Sequence, residues 1–255
     1  MKKFILVVLF TLFTTLVVGQ TLEEIEWITE EYPPYNYQKD KVIKGIAVDL
    51  LIEMWKKAGL KKTTKDIRVW PWNRGVKTIK SIPGTCLFST TITSERKDIF
   101  GWKFVFPIPQ ISDESGNHLI ANKSKKIKFY SVDDLKKYDK KYGVVRGDVG
   151  EGLLLESGVN DSKLDKTSSP ESLVKKLAAG RIDVVSYGHS TVVAKMKEAG
   201  LDPDLFEIVY SFPNKPMGYA FHHSTNPEIL KKLQKALDEL HKDGTAEKIR
   251  RKYVK

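Results

Sequence analysis

The sequence predicts an α/β protein of two lobes, each with a mainly parallel sheet that is flanked by helices. Three observations support this class. Strand and helix patterns alternate between residues 25 and 90, and the same alternation returns after residue 131. Hydrophobic residues make up 41% and charged residues 29% of the chain, a balance typical of globular proteins. No low-complexity linker separates the two halves, so we expect a ligand cleft between the lobes.

The first half has the order strand, helix, strand, helix, strand. Residues 25–29 alternate apolar and polar side chains as a strand does, and Pro33 and Pro34 cannot continue it. Gly45 begins an amphipathic helix with apolar residues at helical spacing, and Gly59 ends that helix. The remaining patterns predict a strand at 67–70, a helix from Trp72 to just before Pro83, and a strand at 86–90.

The second half repeats this order and contains clear helix starts. Ser131 and Asp134 form a capping-box pattern. Ser169-Pro170 and Asn226-Pro227 each combine an N-cap side chain with a proline at the first helical position. The patterns predict strands at 142–145 and 182–187, and helices at 131–138, 148–157, 169–180, 191–199, 226–244 and around Ile249 and Tyr253.

The chain is basic, with 43 Lys and Arg residues against 32 Asp and Glu residues and a formal net charge of +11. Only 7 of these cations are arginines, and the lysines are scattered in pairs without aromatic residues between them. A nucleic-acid groove needs clustered basic side chains and arginine contacts to bases. We therefore predict no nucleic-acid partner and turn to the few arginines as candidates for binding a small ligand.

Cysteine usage limits the chemistry that the chain can carry. Cys86 is the single cysteine, which excludes an intramolecular disulfide and a multi-cysteine metal site. It lies in an apolar stretch, so we expect it to be a small buried hydrophobic residue and not a nucleophile. No Ser-His-Asp, metal-ligand or phosphate-loop pattern occurs in the sequence. The sequence predicts neither a metal nor a cofactor.

The N-terminus predicts export. Two lysines precede an apolar stretch at 4–18, and Val18-Gly19-Gln20 provides small residues for cleavage after Gly19 or Gln20. This is the pattern of a signal peptide over residues 1–20. The apolar stretch, interrupted by threonines, is too short for the ~20 residues of a membrane span. No cysteine lies at the cleavage site, so we expect a periplasmic monomer without a lipid anchor.

Four further stretches occur in a specific order and spacing. They are Tyr32-Pro-Pro-Tyr35 followed by Gly45-Ile-Ala-Val-Asp49-Leu, Trp72-Asn-Arg74, Ser89-Thr-Thr-Ile-Thr-Ser-Glu-Arg96 followed by Phe106-Pro107, and Ala179-Gly-Arg-Ile-Asp183. In these motifs the chain resembles the extracellular (periplasmic) solute-binding proteins of family 3, the polar-amino-acid-type binding proteins of ABC transporters. The resemblance covers nearly all of the chain after the signal peptide.

The resemblance implies the type II periplasmic-binding-protein fold, two α/β lobes joined by two crossover strands. The crossovers should fall near 107–112 and 209–216. Lobe 1 would then comprise residues 22–108 and 215–255, and lobe 2 would comprise residues 109–214. Ligand binding between the lobes would drive hinge closure. A transporter can distinguish the closed, liganded form from the open form.

The same resemblance assigns ligand contacts in lobe 1. Arg96 matches the arginine that holds a ligand carboxylate, for which the planar guanidinium is suited. Strand alternation puts Thr91 and Ser89 on one face, where the family uses hydroxyl and backbone contacts to that carboxylate. Tyr32 and Trp72 match the aromatic walls of the pocket, with burial in the core as the alternative. A sixth residue, Arg74, either reaches the cleft or caps the lobe.

In lobe 2 the sequence departs from the amino-acid-binding pattern. Arg146, Gly147 and Asp148 lie at a strand-to-helix turn that contacts ligand in this family, although Asp148 can instead cap the helix. The family places an aspartate for the ligand's α-ammonium group at the position of Gly188 here. His189 follows it, as a ligand contact or an exposed loop residue. Without that aspartate, the arginines predict a pocket that prefers anions.

The predicted function is therefore capture of a small carboxylate-bearing solute, an organic acid in preference to an amino acid, for delivery to an ABC permease in the membrane. Two other functions are considered. One is a periplasmic enzyme resembling cyclohexadienyl dehydratases, for which Asp148 and Glu151 are the only acids near the cleft. The other is a protein that presents its ligand to a membrane sensor. No catalytic residue is assigned.

Overall fold

The structure is a computed structural model that describes residues 20–112 and 116–254. Residues 1–19, which hold most of the predicted signal peptide, lie outside the described residues. Up to residue 112 the elements are β1 (Glu26–Thr29), β2 (Tyr37–Lys39), β3 (Val42–Lys44), α1 (Ile46–Lys57), β4 (Ile67–Val69), α2 (Trp72–Ser81), β5 (Thr85–Thr91) and β6 (Lys103–Ile108). From residue 116 onwards they are β7 (Asn117–Asn122), α3 (Val132–Lys137), β8 (Tyr142–Val145), α4 (Val149–Glu156), β9 (Leu164–Thr167), α5 (Pro170–Ala178), β10 (Val184–Gly188), α6 (His189–Glu198), β11 (Phe206–Ser211), β12 (Met217–Phe221), α7 (Pro227–Lys242) and α8 (Thr245–Arg251).

The first lobe contains a five-stranded sheet of order β4-β1-β5-β12-β6. Strand β1 pairs in parallel with β4 and β5, whereas β12 is antiparallel to both β5 and β6. Both faces of the sheet are covered, because Trp27 packs in a cluster with α1, α7 and α8 while Ile28 packs in another with α2. A parallel strand that is buried on both faces needs apolar residues in consecutive positions, which Trp27 and Ile28 provide.

The second lobe contains a five-stranded sheet of order β11-β7-β10-β8-β9. Strands β10, β8 and β9 are parallel, and β7 is antiparallel to β10 and β11. One apolar cluster joins the two lobes, since it includes Trp72 and Trp102 of the first lobe together with Val145 and Tyr187 of the second. The two-lobed α/β class is thus confirmed, and the lobes pack directly against each other.

Two connections link the sheets: one follows β6 and includes residues 109–112, and the other comprises residues 212–216. The side-chain amides of Gln110 and Asn214 join these connections by reciprocal hydrogen bonds: Gln110 Nε2 donates to Asn214 Oδ1 at 3.1 Å, and Asn214 Nδ2 donates to Gln110 Oε1 at 2.6 Å. The exact lobe limits at 108/109 and 214/215 stay a prediction.

Local helix signals in the sequence are confirmed, and several strands were missed. Ser131, Ser169 and Asn226 each cap a helix through their side chains as expected. The helix predicted at 191–199 begins earlier, at His189, so the interpretation of His189 as a loop residue is wrong. The missed elements are the hairpin β2–β3 and strands β6, β7, β9, β11 and β12.

Three findings bear on the excluded chemistries. Within the described part of the chain, no helix is both long and apolar enough to cross a membrane. The same residues contain no group of three or more His, Cys, Asp or Glu side chains that could hold a metal ion. Cys86 is buried, and burial raises the pKa of its thiol well above the ordinary value. The prediction that it is a buried hydrophobic residue is therefore confirmed.

Candidate functional site

Arg96 lies between the lobes in a π-helical turn, Glu95–Ile99, shortly after β5. Its side chain is buried, and Nη1 donates a hydrogen bond to the carbonyl oxygen of Thr91 at 2.8 Å. Its Cζ lies 5.1 Å from the ring centre of Trp72 and 6.0 Å from that of Trp102. A guanidinium has five N–H donors, and contacts with the described residues engage one of them. The others are available to a partner in the cleft.

Asp148 supplies a negative charge opposite Arg96. It is the N-cap of α4, and its carboxylate accepts a hydrogen bond from the backbone N–H of Gly150 at 3.3 Å, so the helix-cap interpretation is confirmed. Burial raises the pKa of Asp148, and the positive charge of Arg96 opposes this shift. Burial also lowers the pKa of Arg96, and the charge of Asp148 opposes that shift in turn. Each group stabilises the charge of the other across the cleft.

The lobes are closed on each other by direct contacts. Trp72 Nε1 donates a hydrogen bond to the carbonyl oxygen of Gly147 at 2.8 Å. On the other side of the cleft, Thr191 Oγ1 donates to the carbonyl oxygen of Pro33 at 2.8 Å. These bonds join side chains of one lobe to backbone carbonyls of the other, which fixes the closed arrangement without charged groups.

The ring of Tyr32 also crosses the interface and reaches Gly188. Tyr32 stacks on Tyr35 with ring centres 5.7 Å apart and meets Tyr187 edge-on at 5.8 Å. A Cβ atom on Gly188 would lie less than 3.0 Å from the Tyr32 hydroxyl oxygen and 3.1 Å from its Cζ. The tyrosine hydroxyl thus fills the space that a side chain at position 188 would need. This packing gives a physical reason for the glycine.

Glu30 is a buried carboxyl group at the same interface, and sequence reasoning missed it. It directly follows β1 and is 7% exposed. Burial raises its pKa well above the ordinary value; Asp148 raises it further, and Arg96 acts in the opposite direction. Asn36 holds the backbone here, because its Nδ2 donates to the Glu30 carbonyl oxygen at 2.6 Å. The carboxyl group itself makes no hydrogen bond or ion pair within the described chain.

The alternation expected at Ser89 and Thr91 does not hold. Ser89 adopts a left-handed conformation with φ of 57°, and the pairing of β5 with β12 shifts register beside it. A bulge of this kind interrupts the two-residue period of a strand. The Ser89 hydroxyl donates to Asn36 Oδ1, while Thr91 and Tyr32 line a small cavity next to Gln110. Their contact with a ligand stays a prediction.

Three other predicted site residues are less buried than Arg96. Arg74 is exposed, and its guanidinium stacks over the Trp70 ring at 3.8 Å. Arg146 is also exposed, while His189 is partly buried and lies against His118 with ring centres 6.2 Å apart. Of the three arginines expected in the cleft, Arg96 alone is buried. Ligand contact by Arg74, Arg146 and His189 stays a prediction.

A cavity of about 350 Å³ opens between the lobes beside Trp72. This volume lies within the range of roughly 300–1,000 Å³ for small-molecule sites. Among the described residues, its lining holds three acids and no Lys, Arg or His side chain. The lining comprises Glu30, Glu31, Gln38, Val69, Trp70, Pro71, Trp72, Ser168, Ser169, Pro170 and Glu171.

Lys195 lies close to two of these acids, Glu31 and Glu171, and partly balances their negative charge. Its Nζ lies 2.9 Å from a carboxylate oxygen of Glu198, 3.1 Å from one of Glu171 and 4.0 Å from one of Glu31. Lys195 belongs to α6 in the second lobe, whereas Glu31 belongs to the first. This cluster thus links the lobes by charge as well as by hydrogen bonds.

Replacing Glu30 with glutamine should make the ligand-free protein more stable at neutral pH. Below pH 4.5, the ordinary pKa of the group, Glu30 is protonated in both states and no difference is expected. Above it, the unfolded state loses the proton while the folded state keeps it. The stability of the wild type relative to Glu30→Gln then falls by up to about 1.4 kcal/mol per pH unit until the folded-state pKa is reached.

Urea unfolding of both proteins at pH 4 and pH 8 measures this difference. Glu23→Gln, which changes an exposed carboxylate, serves as the control and should show little dependence on pH. A difference between Glu30→Gln and the wild type that stays constant from pH 4 to pH 8 would contradict the buried environment of Glu30.

Comparisons with known proteins identify the family. The sequence profile of the bacterial extracellular solute-binding proteins, family 3, matches residues 26–255. The probable amino-acid-binding protein YxeM of Bacillus subtilis (strain 168) is 29% identical over 228 residues, which cover 86% of this chain and 79% of YxeM. The profile represents a family of binding proteins, and YxeM is named as a probable binding protein. Both agree with the family resemblance seen in the sequence motifs.

Solved structures agree with this assignment. An ancestral arginine-binding protein bound to glutamine has a TM-score of 0.72 and 26% identity, and the match covers 91% of this chain and 99% of that one. The amino acid ABC transporter substrate-binding protein AbpA of Streptococcus pneumoniae, bound to L-arginine, has a TM-score of 0.71 and 18% identity, covering 91% and 95% of the two chains. The chain has the fold of the type II periplasmic binding proteins, and it belongs to the bacterial extracellular solute-binding proteins, family 3.

Proposed function

We propose that this protein captures a small carboxylate-bearing solute, an amino acid in preference to other organic acids, between its two lobes. The buried guanidinium of Arg96 is the observation that carries this proposal. One of its N–H donors binds the Thr91 carbonyl oxygen, and its other donors make no hydrogen bond with a described residue. A carboxylate that accepts two parallel N–H bonds from a guanidinium forms one of the strongest polar contacts in proteins.

The charges around Arg96 favour an amino acid over an organic acid. Asp148 is the N-cap of α4 and lies within electrostatic reach of Arg96. It can pair with an α-ammonium group, the role that the family gives to an aspartate at the position of Gly188. The preference for an organic acid was expected from Gly188 together with Arg74, Arg96 and Arg146, and it gave Asp148 no role as a partner for an ammonium group. YxeM is named as a probable amino-acid-binding protein, which supports the same conclusion.

Closure of the lobes would make the bound state recognisable to a partner. The hydrogen bonds of Trp72 and Thr191 connect the lobes directly, and the Gln110–Asn214 pair ties the two connections together. We propose export by the N-terminal signal peptide and delivery of the ligand to an ABC permease. The family description as extracellular and the role in AbpA's name support this path.

Catalysis on this scaffold receives no support from the acids that the sequence offered for it. Glu151 accepts a hydrogen bond from the Gly147 N–H at 2.5 Å and forms an ion pair with Lys166 at 2.7 Å. Both carboxylate oxygens of Glu151 thus already have partners within the second lobe, so neither is free to exchange a proton with a ligand. Asp148 is likewise engaged as a helix cap. We therefore propose that the ligand is released unchanged.

A thermal-unfolding screen of the purified protein tests the proposal. Amino acids, dicarboxylates and sulfonates are added separately, and at least one amino acid should raise the melting temperature. A ligand at a hundredfold excess over its Kd stabilises by about 2.7 kcal/mol. Titration calorimetry of each hit then gives the affinity. If only acids without an ammonium group stabilise the protein, the amino-acid proposal is wrong; if no carboxylate does, the whole proposal is wrong.

A further inference from the structure

We propose that the ligand is an amino acid whose side chain carries a positive charge, a guanidinium or an ammonium group. The inference rests on the proposed function above and adds the chemistry of the side-chain subsite. It assigns that subsite to the cavity lined by Glu30, Glu31 and Glu171. The α-carboxylate would bind Arg96, and the cationic side chain would extend into this cavity past the indole of Trp72.

The first argument is the unpartnered carboxyl group of Glu30. It is 7% exposed, lines the cavity, and makes no hydrogen bond or ion pair with a described residue. A buried charge without a partner is unfavourable, and removal of one partner from a buried pair typically costs several kcal/mol. The raised pKa of Glu30 is the expected consequence in the ligand-free protein. A cation in the cavity would supply the missing partner.

The second argument is the balance of charge around the cavity. Lys195 is shared among Glu31, Glu171 and Glu198, so one positive charge faces three negative ones. Arg96 is likewise shared between Asp148 and Glu30, so one guanidinium faces two carboxyl groups. The lining therefore carries an excess of negative charge. A ligand with a neutral or acidic side chain would not reduce this excess. A cationic side chain lowers the repulsion among these carboxylates.

The third argument is geometric. Trp72 contacts both sites, because its ring lies 5.1 Å from the Arg96 Cζ and also lines the cavity. A ligand held at Arg96 can therefore reach the carboxylates along one indole. The walls formed by Trp70, Trp72 and Val69 are apolar, which suits the methylene stem of a long cationic side chain. The cavity thus combines an apolar passage with an acidic end.

Calorimetric titration with L-arginine and L-citrulline tests the inference. The two amino acids share the α-carboxylate, the α-ammonium group and the chain length, but only arginine carries a charge on its side chain. We expect L-arginine to bind the wild type at least about tenfold more tightly than L-citrulline, because hydrogen bonds to charged groups contribute about 1.5–3 kcal/mol. Comparable affinities for the two would overturn the inference while leaving the proposed function intact.

The variants Glu30→Gln and Glu171→Gln locate the source of this preference. Glu30→Gln should lose most of the preference for L-arginine and keep its affinity for L-citrulline, and Glu171→Gln should show a smaller loss. Glu198→Gln is the matched control, because Glu198 also contacts Lys195 but does not line the cavity. Preference retained in Glu30→Gln, or an equal loss of affinity for both ligands, would overturn the subsite. If no amino acid binds the wild type, the proposed function fails as well.

Discussion

Replacing Arg96 with alanine is expected to weaken ligand binding by about 30- to 5,000-fold. Truncation of one member of a buried, hydrogen-bonded charge pair typically costs about 2–5 kcal/mol of binding free energy. Here the ligand carboxylate would lose its guanidinium partner, and Asp148 would lose the charge that opposes its own desolvation. Titration calorimetry with the amino acid that gives the largest thermal shift measures the loss.

Two further variants complete this experiment: one separates charge from geometry at position 96, and the other is a control at a different arginine. Arg96→Lys keeps the positive charge but not the planar fork, so it should also bind weakly. Arg251→Ala removes an exposed arginine that pairs with Glu247 in α8, and it should bind within about twofold of the wild type, as expected for a surface change away from the candidate site residues. Circular dichroism checks that each variant is folded. A folded Arg96→Ala protein with unchanged affinity would remove the basis of the proposed function.

The parts of the fold that depend on local chemistry could be predicted from the sequence. Helix caps are one example, because the Ser131, Ser169 and Asn226 side chains bond to backbone N–H groups within three residues. The antiparallel strands β7, β11 and β12 could not be predicted in this way. Met217 pairs with Thr91, more than a hundred residues away, and no short pattern encodes such a pairing.

The candidate site shows the same limit. Arg96 was found because its neighbours match a family motif, and the burial that makes it useful is indeed present. Glu30 was missed because two consecutive acids before a Pro-Pro turn are typical of a solvated loop. In the folded protein it lies close to Glu171 and Asp148, which belong to the second lobe. A local sequence pattern within one lobe cannot predict a charge cluster whose residues come from both lobes.

Replacing Gly188 with alanine is expected to weaken ligand binding by about 5- to 150-fold through a clash at the lobe interface. The new Cβ would lie less than 3.0 Å from the Tyr32 hydroxyl oxygen, which belongs to the other lobe. Overpacking of this kind costs about 1–3 kcal/mol. The cost applies to the closed state alone, so it shifts the protein towards the open form and reduces its apparent affinity by the same factor.

A double-mutant cycle with Tyr32→Phe assigns this loss to the hydroxyl group. Without that oxygen the nearest ring atom to the added Cβ is Cζ at 3.1 Å, a contact that a shift of a few tenths of an ångström relieves. Gly188→Ala should therefore cost much less affinity in the Tyr32→Phe background than in the wild type. Gly152→Ala is the control, because a Cβ there has no neighbour within 4 Å. An equal loss in both backgrounds would show that the Tyr32 hydroxyl does not exclude a side chain at position 188. A smaller loss in the Tyr32→Phe background would mean that a single tyrosine decides whether the family's aspartate can stand there.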